Sequence, residues 1–384
     1  MMKILVVDDD AFIVEAYSRK LRQSGFEVES AGDGLAAKKL LPQMKPEIVV
    51  LDLMLPQMNG FELLKYVRGQ AELKETRVVV LSNFYLGDSE RQAAAAEADA
   101  TLMKSKCTPT VLLFTINELI RGPAAVQTKE VISSAARDKG ADFEAEEAKR
   151  RDFLKDGPIT LATLRQMNDA FIQTNVKHIR SLRLQNFSRK VHFVAEVAGL
   201  LGLEDIALEA AALEALLLKL EDQPESITPS ILQTIAYTLD FLQLLYSQPH
   251  DREAAAKVPL KAFVLDDDAV SGRAVASALR NVNIESSVLQ QPSRALEKLE
   301  KEQFGLILLD IEMPEIDGLE FCKKVREMPQ YRRTPVIFVT GHTDFESRIN
   351  SVLSGGDDLI SKPIFPVELA VKAMTHLLRS QLAE

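Results

Sequence analysis

The chain has 384 residues, of which 46% are hydrophobic and 27% charged, and its formal net charge at pH 7 is −10. This composition is typical of a globular protein, and the length suits roughly two to four domains. The acidic balance argues against a nucleic-acid partner, because nucleic-acid binding needs basic surface. Two cysteines exclude a disulfide framework, and no stretch approaches the roughly eighteen apolar residues of a membrane span. We therefore expect a cytoplasmic multidomain protein with no nucleic-acid or membrane partner.

The first 121 residues alternate short apolar runs with amphipathic helical patterns. A helix is predicted from 11 to 24, and Gly25 is a typical signal for its end. Short runs rich in β-branched residues predict buried strands at 3–7, 47–51, 77–81 and 100–103. Strands and helices that alternate at this spacing predict a parallel sheet covered by helices on both faces.

The middle of the chain has a different character. Residues 122–148 are rich in Ala, Lys, Glu and Asp and are predicted to be a linker that becomes helical toward its end. Residues 149–247 show only helical periods, and Thr228 before Pro229 predicts a helix start. An apolar stripe is formed by Leu203, Ile206, Ala210, Leu213, Leu217 and Leu220. We therefore predict an all-α helical bundle, followed by a second linker at 248–258.

Residues 259–384 return to the α/β pattern of the first domain. The clear strands are predicted at 262–265, 306–309 and 335–339. The predicted architecture is thus two α/β domains, 1–121 and 259–384, on either side of a helical bundle.

One polar pattern occurs twice, and the two copies are 258 positions apart. Asp8, Asp9, Asp52, Ser82 and Lys104 recur as Asp266, Asp267, Asp310, Thr340 and Lys362. In both copies the central Asp follows the second acid by 43 residues, the hydroxyl follows that Asp by 30, and the Lys follows the hydroxyl by 22. Spacing this regular indicates one chemical site that is built twice.

The repeated residues follow predicted strands, so they should meet at the rim where ligands bind to open parallel sheets. Three crowded carboxylates repel one another unless a cation neutralises them, and Mg²⁺ with oxygen ligands suits such a site. A carboxylate held near Mg²⁺ can attack phosphorus and become an aspartyl phosphate. The Lys ammonium would then balance charge on the phosphoryl group, and the hydroxyl would donate a hydrogen bond to one of its oxygens.

These motifs resemble the receiver domain of two-component response regulators. The resemblance covers roughly 1–120 and 259–380, and it joins VVDDD or VLDDD, the LDLMLPQMNG and LDIEMPEIDG stretches, the hydroxyl and the Lys in order. It implies a flavodoxin-like (βα)5 fold for both copies. It also implies a sensor histidine kinase or a phosphotransfer protein as the partner that supplies the phosphoryl group.

The resemblance also implies a role for each repeated residue. Asp52 and Asp310 would be the phosphoacceptors, assisted by Ser82, Thr340, Lys104 and Lys362. Asp9 and Asp267 would bind Mg²⁺ directly, Asp8 and Asp266 partly through water, and the carbonyls of Met54 and Glu312 would complete the coordination. Beyond self-phosphorylation and autodephosphorylation, no enzymatic activity is expected.

The two copies differ beside the shared residues. Lys362 precedes Pro363, in a peptide that we expect to be cis, and Gly341 after Thr340 is small enough to leave the pocket open. The first copy has neither feature, so we expect the second site to be better formed.

The segment around His192 resembles a histidine phosphotransfer domain. The similarity lies in the run from Lys190 to Glu196 and in the Leu201-Gly202 pair that follows. Helical periodicity predicts a core face of Phe187, Val191, Val194, Ala198 and Leu201. It predicts a solvent-facing side of Ser188, Arg189, His192, Ala195 and Gly199. On that side His192 would be a nucleophile able to approach an acidic rim.

The same segment departs from the family at two positions. The family has Lys three residues after the His and Gly four after it, where this chain has Ala195 and Glu196. Glu196 lies one turn from His192, where we expect it to repel both phosphate and the acidic pocket. We therefore favour a degenerate histidine-phosphotransfer-like (Hpt-like) bundle that serves docking or dimerisation. A homodimer is one arrangement that this role allows.

The favoured function is a response regulator in which phosphorylation changes a surface that binds an unidentified downstream protein. One alternative is an internal relay between the receivers through His192. A second is a metal-dependent phosphatase with an aspartyl intermediate. Such enzymes carry another acid two residues after the nucleophile, where this chain has the apolar Met54 in the first copy and the acid Glu312 in the second. A nucleotide-binding oxidoreductase is excluded, because acids replace the Gly-rich turn after the first strand.

Overall fold

The computed structural model describes residues 1–55, 57–82, 96–104, 107–121, 142–174, 176–248, 261–282, 284–341 and 354–382. The side chains of Ser82 and of residues 142–146 lie outside this description. Both predicted linkers, 122–148 and 248–258, fall mostly outside it as well. The chain forms two compact units, which are Met1–Gly157 with His192–Ala211 and Pro158–Val191 with Ala212–Glu384.

A parallel five-stranded sheet forms the centre of the first unit. Its strands are β1 (Lys3–Val7), β2 (Glu27–Ala31), β3 (Ile48–Asp52), β4 (Arg77–Ser82) and β5 (Ala100–Met103). They are ordered β2-β1-β3-β4-β5, and every described pair is parallel. The described helices between and after them are α1 (Ala11–Gln23), α2 (Gly34–Met44), α3 (Gly60–Gly69) and α4 (Pro109–Arg121). Apolar clusters lie on both faces of the sheet, as its buried strands predict.

The middle of the chain is helical. Its helices are α5 (Asp142–Lys155), α6 (Gly157–Ile172), α7 (Lys177–Leu200), α8 (Glu204–Asp222) and α9 (Pro229–Ser247). The predicted stripe of α8 and its approach, from Leu203 to Leu220, is buried at all six positions. Thr228 caps α9 as predicted, because its hydroxyl accepts a hydrogen bond from the Ile231 amide at 3.3 Å.

The second unit contains a matching sheet. Its strands are β6 (Lys261–Leu265), β7 (Glu285–Leu289), β8 (Leu306–Asp310), β9 (Val336–Thr340) and β10 (Asp358–Ser361). The order is β7-β6-β8-β9-β10, again parallel. Its helices are α10 (Ala269–Asn281), α11 (Pro292–Lys301), α12 (Gly318–Glu327) and α13 (Pro366–Leu382). The Lys362–Pro363 peptide is cis, which confirms the prediction.

These elements confirm the predicted fold class. Both sheets have the strand order of flavodoxin-like folds, and a central all-helical region separates them in sequence. The boundaries of the predicted strands differ from the observed ones by at most one residue, and β2, β7 and β10 are observed strands that were not predicted. Among the described residues, no helix is both long enough and apolar enough to cross a membrane.

One arginine network is present in both sheets. Arg68 bonds the Thr76 carbonyl oxygen at 2.8 Å and pairs with Asp99 at 2.6 Å. At the matching positions, Arg326 bonds the Thr334 carbonyl oxygen at 2.5 Å and pairs with Asp357 at 2.8 Å. Both aspartates also accept a hydrogen bond from the first part of β4 or β9. The network thus fixes the start of β5 and β10, the strands that lead to the two site lysines.

Within the second unit, α9 packs along α13. The Glu368 carboxylate accepts hydrogen bonds from Ser230 at 2.5 Å and from Thr234 at 3.3 Å. Further along the helix, Arg379 donates to the Tyr237 hydroxyl. This contact explains why α13 is buried almost throughout its length, including several polar residues.

Candidate functional site

The acidic residues of the first copy meet at the carboxyl ends of neighbouring strands. Asp8 and Asp9 follow β1, and Asp52 is the last residue of β3, which pairs with β1. Asp10, the third acid of the run, has a structural role instead. Its side chain caps α1 by accepting hydrogen bonds from the amides of Phe12 and Ile13. The cap therefore fixes the start of α1 directly after the two site acids.

Each copy brings three carboxylates within the range that one metal ion requires. One oxygen each from Asp8, Asp9 and Asp52 lies within 4.8 Å of the others, and Asp266, Asp267 and Asp310 form the same arrangement. Asp9 and Asp267 are exposed, whereas the other two acids of each cluster are buried. A set of carboxylate oxygens that is open on one side suits a hard cation that keeps several waters, as Mg²⁺ does.

Lys104 lies at the centre of the first cluster. Its Nζ is 2.8 Å from Asp52 Oδ2, 2.9 Å from Asp8 Oδ2 and 2.6 Å from Glu196 Oε1. The lysine side chain is only 5% exposed, so these ion pairs are shielded from water. The ammonium therefore contacts three carboxylates, one of which comes from α7 and not from the receiver sheet.

The crowding shifts the pKa values of this cluster in opposite directions. Burial raises the pKa of Asp8 to about 7; Lys104 opposes the rise, while Asp52 and Glu196 add to it. Burial and, to a smaller extent, the negative charge of Asp52 also raise the pKa of Asp9. Burial alone would lower the pKa of Lys104, but the surrounding carboxylates outweigh burial and hold that pKa well above its usual range. The Lys104 ammonium is therefore the fixed charge of the pocket, and Asp8 and Asp9 are the acids whose charged forms are disfavoured.

Glu196 contradicts the prediction that it would repel the acidic pocket. Its side chain is buried in the pocket because the Lys104 ammonium contacts it together with the receiver carboxylates. Burial favours the neutral acid, yet Lys104 and His192 outweigh burial and lower the pKa of Glu196 to about 2. The repulsion between carboxylates is real, but the shared cation dominates it.

His192 lies beside the first pocket. Its Nε2 is 3.3 Å from Glu196 Oε1, and its side chain is 27% exposed. The predicted solvent-facing side of α7 is wrong for Ser188, Ala195 and Gly199, which are buried, whereas Arg189 is exposed as predicted. In the first unit, this part of α7 is covered because Leu200 joins the apolar cluster of the receiver. The predicted core positions Phe187, Val191, Val194 and Ala198 are buried, and the fifth, Leu201, is half-buried.

The second pocket has the same central pair, and among the described residues no third carboxylate from a helix contacts its lysine. Lys362 Nζ is 2.8 Å from Asp310 Oδ2 and 3.3 Å from Asp266 Oδ2, and its side chain is 27% exposed. The Ser271 hydroxyl donates a hydrogen bond to Asp266. Burial raises the pKa of Asp310 although Lys362 opposes the rise. Burial would lower the pKa of Lys362, but Asp310 and Asp266 raise it.

The other predicted residues border the two pockets. Thr340, at the end of β9, is fully buried. The backbone of Ser82 ends β4, but its hydroxyl lies outside the described atoms. The Met54 amide donates to Asp52 Oδ1 at 3.0 Å, and the Glu312 backbone bonds Asp310 in the same way. The side chains of Met54 and Glu312 are both exposed.

A glycine holds the loop behind each central aspartate. A Cβ placed at Gly60 would meet the carbonyl oxygen of Asp52, and one at Gly318 would meet that of Asp310. Both glycines begin the helix that follows the loop, α3 or α12. The close approach explains why glycine occupies this position in both copies.

Two residues of the site were not predicted to belong to it. Ser271 stands where the first copy has Ile13, so the repeat could not reveal it. Glu196 was placed on the His192 side of α7 by periodicity. Its partner Lys104 could not be identified, because the contact depends on how that helix packs against the receiver.

Comparisons with known proteins agree with this geometry. The family model described as the response regulator receiver domain matches residues 4–116 and again 262–374. Protein RcaC of Microchaete diplosiphon is 32% identical over 123 residues, which are 32% of this chain and 19% of RcaC. The nisin biosynthesis regulatory protein NisR of Lactococcus lactis subsp. lactis is 36% identical over 121 residues, which are 32% of this chain and 52% of NisR. The chain spans about half or less of the length of these two relatives.

Among solved structures, the chemotaxis response regulator CheY4 of Vibrio cholerae is 29% identical, with a TM-score of 0.29. The match covers 30% of this chain and 97% of CheY4. The two matches to the family model together cover more than half of the sequence. The chain therefore belongs to the response regulator receiver family of two-component signalling and carries the receiver domain twice.

Proposed function

We propose that the protein is a response regulator of a two-component phosphorelay, switched by Mg²⁺-dependent phosphorylation of Asp52, Asp310 or both. The proposal divides the chain into receivers at 1–121 and 259–384, an Hpt-like bundle at 149–247 and linkers at 122–148 and 248–258. The phosphorylated form would bind an unidentified downstream protein. Receiver domains interact with sensor histidine kinases or phosphotransfer proteins, and such a partner would supply the phosphoryl group.

The observation that carries the proposal is the repeated arrangement of a central aspartate, a lysine and two further acids. The distance from Lys Nζ to the central Asp Oδ2 is 2.8 Å in both copies. A carboxylate is the nucleophile in this arrangement, and the ammonium beside it is placed to balance charge that the transfer adds. The same geometry at two sites 258 positions apart supports a shared chemistry.

The donor set of each cluster fits Mg²⁺, because three carboxylate oxygens lie within ligand range and one acid is exposed to water. Asp9 and Asp267 would bind the ion directly and Asp8 and Asp266 partly through water, with the carbonyls of Met54 and Glu312. When bound, the ion would neutralise the acids and the incoming phosphoryl oxygens.

The residues of the chain have defined roles in the transfer from a phosphohistidine. A carboxylate oxygen of Asp310 attacks phosphorus, a P–O bond forms and the P–N bond of the donor breaks. The electron pair of that bond stays on the donor imidazole, which takes a proton from water. Lys362 balances charge on the phosphoryl oxygens, and the Thr340 hydroxyl donates to one of them. Asp52, Lys104 and Ser82 would have the same roles in the first copy.

The middle segment serves as a degenerate Hpt-like scaffold in this proposal. The run from His192 to Ala211 belongs to the compact unit of the first receiver, which is consistent with docking. An internal relay through His192 is a second candidate, because the imidazole lies 3.3 Å from a carboxylate that reaches the Asp52 pocket. Replacing His192 with Gln and following transfer from a phosphorylated partner separates the two candidates. Transfer that is unchanged would end the relay.

The experiment that tests the proposal is labelling of the full chain with acetyl phosphate and Mg²⁺. Intact mass and peptide mapping would compare the wild type with Asp52→Asn, Asp310→Asn and the double variant. We expect phosphoryl incorporation that requires Mg²⁺ and is absent from the double variant. Incorporation that persists in the double variant, or that is absent from the wild type, would refute the proposal.

A further inference from the structure

Among the residues that the structure describes, the two pockets differ by one carboxylate. Glu196 Oε1 is 2.6 Å from Lys104 Nζ, which is closer than either receiver carboxylate. Lys362 is paired with two carboxylates, Asp266 and Asp310, among the described residues. The third anion in the first pocket comes from a helix that follows the receiver by more than fifty residues in sequence.

This third anion decides what Lys104 can still bind. An ammonium has three N–H donors, and three carboxylates within 2.9 Å surround this one. No donor is left for a phosphoryl oxygen while Glu196 is in place. Lys362 has two such partners and is 27% exposed, so one donor can turn toward an incoming anion. In the first pocket, Glu196 Oε1 therefore occupies the position beside the lysine. In the second pocket, the same position can receive a phosphoryl oxygen.

The position of Glu196 is imposed by the packing of its helix. One turn later, Leu200 joins the apolar cluster of the first receiver that includes Tyr17, Cys107 and Leu112. Glu196 is 4% exposed, and its second oxygen, Oε2, has no hydrogen-bond partner among the described residues. Burying a carboxylate oxygen in this way is unfavourable, so packing alone does not account for an acid here. His192 Nε2 lies 3.3 Å from the paired oxygen, Oε1, and helps to orient it.

We propose that Glu196 occupies the phosphoryl-oxygen position beside Lys104 and thereby blocks phosphorylation of Asp52, so that Asp310 is the accessible acceptor. This inference rests on the proposed function and adds a residue that determines which receiver reacts. Asp52 becomes an acceptor only when the Lys104–Glu196 ion pair opens. A partner that draws the end of α7 away from the first receiver would therefore turn the first site on.

The rate of phosphorylation at each aspartate tests the inference. The full chain would be incubated with acetyl phosphate and Mg²⁺, and peptide mapping would follow Asp52 and Asp310 in the same molecules. We expect Asp310 in the wild type to react at least tenfold faster than Asp52. Glu196→Ala should raise the Asp52 rate at least tenfold and leave the Asp310 rate unchanged. Glu196→Gln keeps the size of the side chain but removes its charge, and it should also raise the Asp52 rate, by a smaller factor than Glu196→Ala.

The design separates failure of the inference from failure of the proposed function. If neither aspartate reacts in any variant, the proposed function fails and the inference fails with it. If Asp310 reacts but the Asp52 rate is equal to it in the wild type, or is unmoved in both Glu196 variants, only the inference fails. Glu62→Gln, which removes an exposed acid of the same receiver, is the matched control and should change neither rate. Thermal unfolding of each Glu196 variant would show whether it folds. If one variant does not fold, the Asp52 rate of the other variant tests the inference.

Discussion

The two receivers share five site positions, yet their pockets differ in what surrounds the lysine. In the first pocket, Lys104 is 5% exposed and contacts three carboxylates. In the second, Lys362 is 27% exposed and contacts two carboxylates in the part of the chain that the structure describes. The distance from lysine to the central aspartate is the same in both. Access to a repeated site is therefore set by a residue outside the repeat.

The receivers also differ in how a helix of the middle region contacts each of them. In the first unit, the end of α7 places Glu196 among the carboxylates. In the second unit, α9 contacts α13 through Ser230 and Tyr237 and leaves the lysine of that receiver partly exposed. The same fold can thus be engaged at its acidic rim or along its last helix. Only the first mode competes directly with phosphorylation.

The largest expected effect comes from removing the charge of each lysine. Lys104→Met keeps much of the side-chain volume but leaves Asp8, Asp52 and Glu196 buried without their cation. Breaking a buried pair in this way typically lowers the free energy of unfolding by about 3 to 5 kcal/mol. Lys362→Met should lower it by only about 1 kcal/mol, because that pair is partly exposed to water.

Urea denaturation with hydrogen exchange as the readout would assign each loss of unfolding free energy to one receiver. Mg²⁺ should restore part of the stability of Lys104→Met, because the ion can neutralise the same acids. Equal losses of unfolding free energy in the two variants would contradict the conclusion that Lys104 is more deeply buried and neutralises more carboxylates than Lys362.

Acid should weaken the second receiver by a route that the first lacks. Asp358 pairs with Lys372 at 2.7 Å and His376 at 3.2 Å, where the first copy has Ala100, Phe114 and Glu118. Burial would raise the pKa of Asp358, but His376 and Lys372 lower it to about 2. Because the folded pKa is below the unfolded value of 3.8, this stabilisation is complete above pH 3.8 and is lost as pH falls toward 2.

The expected loss is about 2 kcal/mol for a shift of this size. Denaturation at a series of pH values would compare the wild type with Asp358→Asn, in which the stability of the second receiver should be lower at neutral pH and flatter between pH 4 and 2. An unchanged slope in that variant would show that the three residues do not anchor α13.

The smallest effect is expected where α9 meets α13. Tyr237→Phe removes the hydroxyl that accepts from Arg379 but keeps the ring that contacts His376. Loss of one partly exposed hydrogen bond should cost about 1 kcal/mol or less. Hydrogen exchange of α13 measures this, and the α4 amides of the first receiver are the internal reference. A similar change in both helices would mean that the contact is not specific to the second unit.

The sequence predicted most of the fold because the central strands carry their own signal. β1 and β5 begin and end where the apolar runs do, and β3 and β9 are displaced by one residue. By contrast, β2 and β7 read EVESA and ESSVL, contain few apolar residues and lie at a sheet edge. Pairing with β1 and β6 gives them their strand geometry, and such long-range hydrogen bonding leaves little trace in a local pattern.

The same limit applies to the site. The acids and lysines of both copies were predicted because strand ends of a parallel sheet meet at one rim. Periodicity also placed Glu196 on the His192 side of α7. The sign of its effect was predicted wrongly, since a helical period does not reveal which cation a side chain will meet. The packing of Leu200 into the receiver cluster brings Glu196 to Lys104, and that packing is a tertiary event.

The number of beryllofluoride anions that bind in the presence of Mg²⁺ tests the central claim most directly, because this anion takes the place of a phosphoryl group on the acceptor aspartate. Fluorine NMR of the full chain would count the bound species, with Asp310→Asn and Asp52→Asn used to assign them. We expect one bound anion per wild-type chain, at Asp310, and two per chain in Glu196→Ala. Two equivalent anions on the wild-type chain, or a single one at Asp52, would contradict the account.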